Sequence, residues 1–206
     1  MTRIALIDYG IGNLRSVYKA VQAAGGEVEL TEDPQRVFAA DKVILPGVGA
    51  FGDGMAGLRQ RGLVEVVLEV AQRQRPLLGI CLGMQLLFEV GEELGQHAGL
   101  GLLAGRVSRL PDAPLLRLKI PHTGWNRVLP VGDSPLLAGV SANCYAYFNH
   151  SFYCVPTDDR VVLARTPYGL EYASVVGAGN LYGVQFHPEK SQAVGLQILR
   201  NFVENC

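Results

Sequence analysis

A chain of 206 residues with 49% hydrophobic and 18% charged residues has the composition of a folded globular protein and is long enough to bury one sizeable core. A net charge of −1 without any basic block excludes the electrostatic footprint of a nucleic-acid binder. No apolar run reaches the roughly 18 residues that a membrane span needs. The four cysteines, Cys81, Cys144, Cys154 and Cys206, show neither metal-ligand spacing nor a disulfide framework.

From the N-terminus, Met1 to Asp8 places an acid where a signal peptide would continue its apolar stretch. Arg3–Ile7 therefore reads as the first strand of a cytoplasmic protein, in a reducing compartment where a lone thiol can serve as a nucleophile. Gly10-Ile11-Gly12-Asn13 turns the chain. Leu14, Val17, Tyr18 and Val21 follow at helical spacing, and Gly25-Gly26 ends that helix. Short apolar strands are expected at 28–30, 42–45 and 76–80. Between the last two, Met55, Leu58, Val66, Val67 and Val70 fit helical stripes broken at Gly62. Met84, Leu87 and Phe88 continue the pattern as a helix. Alternation of strand and helix predicts a mostly parallel sheet covered by helices on both faces.

The second half reads differently. Pro111, Pro114, Pro121, Pro130, Pro135 and Pro156 punctuate it, and β-rich runs recur at 143–148, 161–165, 172–176 and 181–186. Gly177-Ala178-Gly179-Asn180 between the last two predicts a hairpin. A closing helix presents Val194, Ile198, Leu199, Phe202 and Val203 on one face. With no repeat and no low-complexity linker, the expectation is a single α/β domain over 1–206 with an antiparallel β extension.

Two segments carry chemistry. Gly79-Ile80-Cys81-Leu82-Gly83, between a strand and a helix, has the form of a nucleophile elbow with cysteine as the pivot. Small residues two positions to either side let backbones approach closely. The helix start offers the Leu82 N–H as an oxyanion donor, and its dipole favours thiolate over thiol. Gly183-Val184-Gln185-Phe186-His187-Pro188-Glu189 supplies a histidine to manage the thiol's proton and an acid to fix the histidine's tautomer. His187 and Glu189 stand two apart, so an extended segment points them to the same side. Gly10-Ile11-Gly12-Asn13 lacks the third glycine of a dinucleotide fingerprint and the lysine of a P-loop, so nucleotide binding is not expected there.

With Pro46-Gly47-Val48-Gly49, Gly79-Ile80-Cys81-Leu82-Gly83-Met84-Gln85 and Gln185-Phe186-His187-Pro188-Glu189 in that order, the chain resembles the class I, triad-type glutamine amidotransferases over essentially its whole length. Asp8-Tyr9-Gly10-Ile11-Gly12-Asn13-Leu14, Gly124-Trp125-Asn126 and His187-Pro188-Glu189-Lys190-Ser191 narrow the likeness to the glutaminase-subunit family of imidazole glycerol phosphate synthase, which serves histidine biosynthesis.

The resemblance implies a catalytic triad of Cys81, His187 and Glu189, with an oxyanion hole from Leu82 and the Val48-Gly49 segment. It implies glutamine binding by Gln85, His150, Ser151 and Phe152. Asn13, Trp125, Asn126, Tyr147 and Lys190 would lie near the interface with a (β/α)8-barrel cyclase subunit that takes up the ammonia. No metal and no cofactor are implied. Two segments depart from the family pattern: Asn149 stands where valine is common, with Phe152 for tyrosine in the same segment, and Thr123 stands where methionine is common. Competing readings are the glutaminase of anthranilate, aminodeoxychorismate or guanylate synthesis, a cysteine peptidase, and a non-catalytic flavodoxin-like module.

Overall fold

The computed structural model describes residues 2–112 and 118–206; Met1 and residues 113–117, Pro114 among them, lie outside the described residues. Its centre is a parallel sheet. β1 (Arg3–Ile7) pairs with β2 (Glu27–Thr31) on one side and β3 (Lys42–Leu45) on the other; β3 pairs with β4 (Leu77–Ile80), and β4 with β13 (Leu181–Val184), all in parallel.

Alternation along these strands divides the core in two. Ile4, Leu6, Ile44, Leu78 and Ile80 face one side, where Val17 and Val21 of α1 (Leu14–Ala23) and Ile198, Leu199 and Phe202 of α6 (Gln192–Asn205) cover them. Ala5, Ile7, Val43, Leu45 and Leu77 face the other. There they meet Val37 of α2 (Pro34–Ala39), Met55 and Leu58 of α3 (Phe51–Gln60) and Val66, Val67 and Val70 of α4 (Leu63–Gln72). Strands buried on both faces need continuous apolar runs, which is why these read as short hydrophobic blocks rather than alternating ones. Gly62, at φ +63, breaks α3 from α4 in the left-handed conformation that glycine adopts without penalty.

Antiparallel strands extend the sheet beyond β13. β12 (Glu171–Ala178) pairs with β13 across the expected hairpin, with Ala178 opposite Leu181. β10 (Phe152–Pro156) and β7 (Leu103–Arg109) continue outward to β5 (Phe88–Gly91) and the two-residue β6 (His97–Ala98). A branch runs from β12 through β11 (Val162–Pro167) to β8 (His122–Pro130) and β9 (Cys144–His150).

One expectation is corrected, and several elements were not foreseen. The helix expected to carry Met84, Leu87 and Phe88 is α5 (Leu82–Leu86), only five residues long, and Phe88 opens β5 instead. The strands β5 to β8, the strand β10 and the helix α2 were not anticipated. For α2 a signal existed: Asp33 accepts a hydrogen bond from the Gln35 N–H at 2.9 Å, and Pro34 occupies the first turn, which is an N-cap followed by a helix-opening proline.

The tightest contact of the fold lies between β3 and the turn after β4. A Cβ on Gly83 would fall 1.8 Å from the Leu45 carbonyl oxygen, and one on Gly79 would fall 2.7 Å from the Gly83 backbone. Gly83→Ala should therefore destabilise by about 2 kcal/mol or more, since overpacking against backbone has no flexible side chain to absorb it. Urea unfolding of the purified variant measures this, and a midpoint equal to wild type would contradict the close approach.

Candidate active site

The carboxyl ends of β3, β4 and β13, three adjacent strands, carry the three motifs. Neighbouring strands sit about 4.8 Å apart, so pairing alone brings Pro46, Cys81 and the segment after Val184 to one edge. Cys81 stands at φ 54, ψ −109, a left-handed conformation strained for a residue with a side chain. It is held there by its own N–H, which donates to the Val184 carbonyl at 2.8 Å, and by the glycine contacts on both sides. Because α5 is so short, few aligned peptides stand behind Cys81, and its dipole is a smaller influence than a full helix would give.

His187 enters extended, at φ −96, ψ 97, and residues 188–190 then curl into a 3-10 turn. Glu189 thus returns beneath His187 through a turn rather than along an extended segment, and its Oε1 lies 2.9 Å from His187 Nδ1. Both side chains are almost fully enclosed, and Glu189 Oε2 is buried with no protein partner. Burial opposes a charge on His187, but the interactions with Cys81 and Glu189 together outweigh it and raise the imidazole to about 10. The backbone is clamped as well: the His187 N–H donates to the Tyr147 carbonyl at 2.9 Å, the Ser191 hydroxyl donates to the His187 carbonyl at 2.6 Å, and the Tyr147 N–H donates to the Ser191 hydroxyl at 2.9 Å.

Cys81 and His187 open onto a cavity of about 340 Å³ that Val48, Gly49, Leu82, Gln85, His150, Ser151 and Phe152 also line. At its rim the Leu82 N–H is not free, as the sequence suggested, but donates to the Gly47 carbonyl at 3.3 Å. Among the described residues the Val48 and Gly49 N–H groups donate to no protein acceptor. The loop is pinned one residue earlier, where the buried Tyr9 hydroxyl donates to the Pro46 carbonyl at 2.7 Å. Burial, with Cys81 nearby, pushes that phenol well above its ordinary range, so it remains a donor.

Gln85 sends its amide hydrogens to the Phe152 carbonyl at 2.9 Å and to Gln185 Oε1 at 3.1 Å. Gln185 in turn points its Nε2 at Cys81 Sγ, 3.8 Å away. Gln185 received no role from the sequence although it sits two residues before His187; its full burial beside the thiol gives it one. Glu93 was also missed. It lines the cavity and accepts the Phe51 N–H at 2.8 Å, and no local pattern distinguishes it from other surface acids.

His150, expected with Ser151 and Phe152 to bind glutamine, lines the cavity, but its ring is committed to protein partners. Its Nδ1 bonds the Phe152 carbonyl at 2.8 Å and its Nε2 bonds the Tyr172 hydroxyl at 3.1 Å, so neither nitrogen is available. The Phe152 carbonyl, with two donors, is likewise saturated. Ser151 lines the cavity, but its carbonyl is committed to the Leu110 N–H.

Of the residues expected at a partner surface, Asn13 and Lys190 are exposed and Trp125 is 47% exposed, although a tryptophan beside glycine is more often core. Trp125 stands directly across from Tyr147 in the β8–β9 pair, in edge contact with it, and the Lys190 ammonium lies over the Tyr147 ring. Asn126 is turned inward instead: its amide donates to the Pro167 carbonyl and meets His122 Nε2. The departures Thr123 and Asn149 prove to be a matched pair, opposite one another in β8 and β9 and hydrogen-bonded at 3.0 Å.

Residues 5–206 match the family model described as glutamine amidotransferase class-I. The chain is 54% identical over 204 residues to the imidazole glycerol phosphate synthase subunit HisH of Moorella thermoacetica, covering 99% of this chain and 95% of that protein. It is 52% identical to the protein of the same name from Symbiobacterium thermophilum, covering 98% and 93%. Among solved structures it resembles PurLQS from Thermotoga maritima, with TM-score 0.75 at 20% identity over 98% of each chain. A glutamine amidotransferase of Thermotoga maritima gives TM-score 0.68 at 14% identity, over 98% of this chain and 96% of that one. At those identities the structural likeness is one of fold.

The committed ring of His150 has a consequence for acid stability. Burial, chiefly, lowers its pKa from 6.5 to about 3, and burial lowers that of His122 to about 4. Below pH 6.5 the unfolded chain therefore binds protons that the folded chain refuses. Stability is full above that pH and falls as the pH drops toward the folded values. Each ring contributes a slope of about 1.4 kcal/mol per pH unit inside its window. Urea unfolding at pH 7 and pH 5 should show a loss of about 2 kcal/mol or more from these rings. Equal stabilities at the two pH values would mean that the rings are not held neutral.

Proposed function

This chain belongs to the class-I glutamine amidotransferase family and is a glutaminase of histidine biosynthesis, and we propose that it works through a Cys81 thioester and passes the released ammonia to a (β/α)8-barrel cyclase subunit. The observation that carries this reading is the meeting of Cys81, His187 and Glu189 at one cavity from the ends of neighbouring strands.

The thiolate of Cys81 attacks the side-chain carbonyl carbon of glutamine. His187, whose proton is held by Cys81 and Glu189 alike, gives that proton to the departing ammonia as the carbon–nitrogen bond breaks. With the ring now neutral, His187 takes a proton from water, which attacks the thioester and returns Cys81 and glutamate. Glu189 orients the imidazole through Nδ1 and leaves Nε2 for the reaction. Gln85, both hydrogens spent on protein, turns its oxygen toward the cavity as an acceptor for the glutamine ammonium, and the Glu93 carboxylate adds charge of the right sign. The chain acts as one domain in the cytoplasm, as half of a heterodimer, with no metal or cofactor taking part.

Control fits the oxyanion hole. Leu82 can serve the developing oxyanion only when its N–H leaves the Gly47 carbonyl, and the flanking glycines of Pro46-Gly47-Val48-Gly49 allow that peptide movement. The partner surface reaches this site by a short route, because Lys190 lies over Tyr147, and Tyr147 and Ser191 clamp the His187 backbone.

The test is glutamate release from glutamine, with and without a cyclase partner loaded with its nucleotide ligand. Cys81→Ala should abolish glutamine-dependent synthesis in the complex while synthesis from added ammonia continues; ordinary glutaminase turnover in the variant would remove Cys81 from the mechanism. The isolated chain should turn glutamine over slowly, the liganded cyclase should raise turnover at the chemical step, and Lys190→Ala should uncouple the two. Full activity of the single chain without ligand would sink the switch and leave the triad standing.

A further inference from the structure

One buried chain of hydrogen bonds links the inner face of β8 to the glutamine cavity, and the chemistry of its members allows only one direction for each bond. The Phe152 carbonyl can only accept. Gln85 Nε2 and His150 Nδ1 must therefore both donate to it, which places the His150 proton on Nδ1. Burial keeps that ring neutral, so Nε2 carries a lone pair and the Tyr172 hydroxyl, 3.1 Å away, donates to it. With its hydrogen spent, the Tyr172 oxygen must accept from His122 Nδ1 at 3.0 Å. His122 Nε2 is then an acceptor for the Asn126 amide at 3.2 Å, whose remaining hydrogen goes to the Pro167 carbonyl at 2.8 Å. On the far side Gln85 passes to Gln185 and Gln185 to Cys81.

We propose that Tyr172 is a positioning residue of the glutaminase site: clamped between two histidines, its hydroxyl fixes His150 with the proton on Nδ1, and so holds the Phe152 carbonyl where it orients the Gln85 amide with its oxygen toward the substrate. The proposal rests on the glutaminase reading above and adds a residue that touches neither glutamine nor Cys81. Reversing the Gln85 amide would set its oxygen against the Phe152 carbonyl and the Gln185 oxygen, so the carbonyl's position decides which end of Gln85 the substrate meets. Tyr172 is fully buried, and no other described side-chain donor reaches His150 Nε2.

Two measurements test this. In the wild-type chain with 15N-labelled histidine rings, long-range proton–nitrogen spectra at pH 7 read the tautomer of each of the four histidines, and His122 and His150 should carry their protons on Nδ1. In the complex with liganded cyclase, Tyr172→Phe should raise KM for glutamine about tenfold, because a buried acceptor loses its donor and the carbonyl loosens. The turnover number should stay within about twofold, as expected for a residue that acts on binding and not on the reacting atoms. On a Gln85→Ala background the same change should add almost nothing, since both act through one carbonyl.

A proton on Nε2 of His150 overturns the proposal whatever the kinetics, and so does an unchanged KM in Tyr172→Phe or full additivity with Gln85→Ala. If Tyr172→Phe does not fold, the wild-type tautomers still decide. A wild-type complex without glutamine-dependent activity would instead refute the glutaminase reading, which the tautomer spectra do not depend on.

Discussion

Parallel pairing of β13 against β4, with Gly183 opposite Gly79 and Val184 opposite Ile80, is the contact on which the rest of this molecule depends. Cys81 ends one of these strands, and the segment leading to His187 ends the other. The Cys81 N–H closes the pair by donating to the Val184 carbonyl, so the strained turn is an extension of the sheet ladder and shares its stability. A strained residue persists only where its surroundings over-determine it. Here the ladder, the Gly79 contact with Gly83 and the Gly83 contact with Leu45 together leave the pivot no other conformation.

Around this frame the site is a buried polar network, and such networks stabilise only when every member is satisfied. Most of it meets that condition: the amide hydrogens of Gln85, the ring nitrogens of His150 and His122, and the Tyr172 hydroxyl all have partners. The exception lies at the triad, where Glu189 Oε2 is enclosed without one. A carboxylate in that state is tolerated because His187 beside it holds a proton, and the pair shares its charge. The uncompensated oxygen strengthens the grip of Glu189 on the ring, which is the property an orienting acid needs.

The features visible in the sequence were those that place a local demand on backbone. A cysteine flanked at two residues by glycine and a Pro-Gly-Val-Gly each announce a turn, and each turn is present where expected, whereas His-Pro-Glu was read as extended and curls into a 3-10 turn. The buried strands were legible for the same reason, as short apolar runs between breakers. The network was not, because its geometry is decided by residues far apart in the chain. Nothing near His150 in the chain indicates that Tyr172 and Phe152 will occupy both of its nitrogens. The inward bond of Asn126 was equally invisible, since it depends on the Pro167 carbonyl, 41 residues along the chain. Strands β5 to β8 and β10 were missed because, outside the central sheet, their burial is partial and their apolar pattern correspondingly weak.

Under the proposed mechanism, the Leu82–Gly47 bond sets a bound on how silent the resting enzyme is. A backbone hydrogen bond contributes about 0.5–1.5 kcal/mol net, and about 1.4 kcal/mol is a factor of ten in an equilibrium. Breaking that bond alone therefore suppresses the competent state by roughly tenfold at most. Suppression beyond that has to come from the conformation of Val48 and Gly49, where a second donor must also be aimed at the substrate. Gly49 stands at φ +95, a conformation open to glycine, and no side chain or backbone comes near enough to its Cβ position to hold it there. Among the described residues the second donor is bonded to no protein acceptor, while the first is tied. A partner that shifted only the loop would leave Leu82 occupied, and one that freed only Leu82 would leave the loop misaimed. Both must change together, and Gly47 is the residue that joins them: its carbonyl holds Leu82, and its neighbours Val48 and Gly49 carry the other donor. In the proposed mechanism, movement of this one short segment would assemble both halves of the oxyanion site, with Tyr9 holding Pro46 as its fixed end.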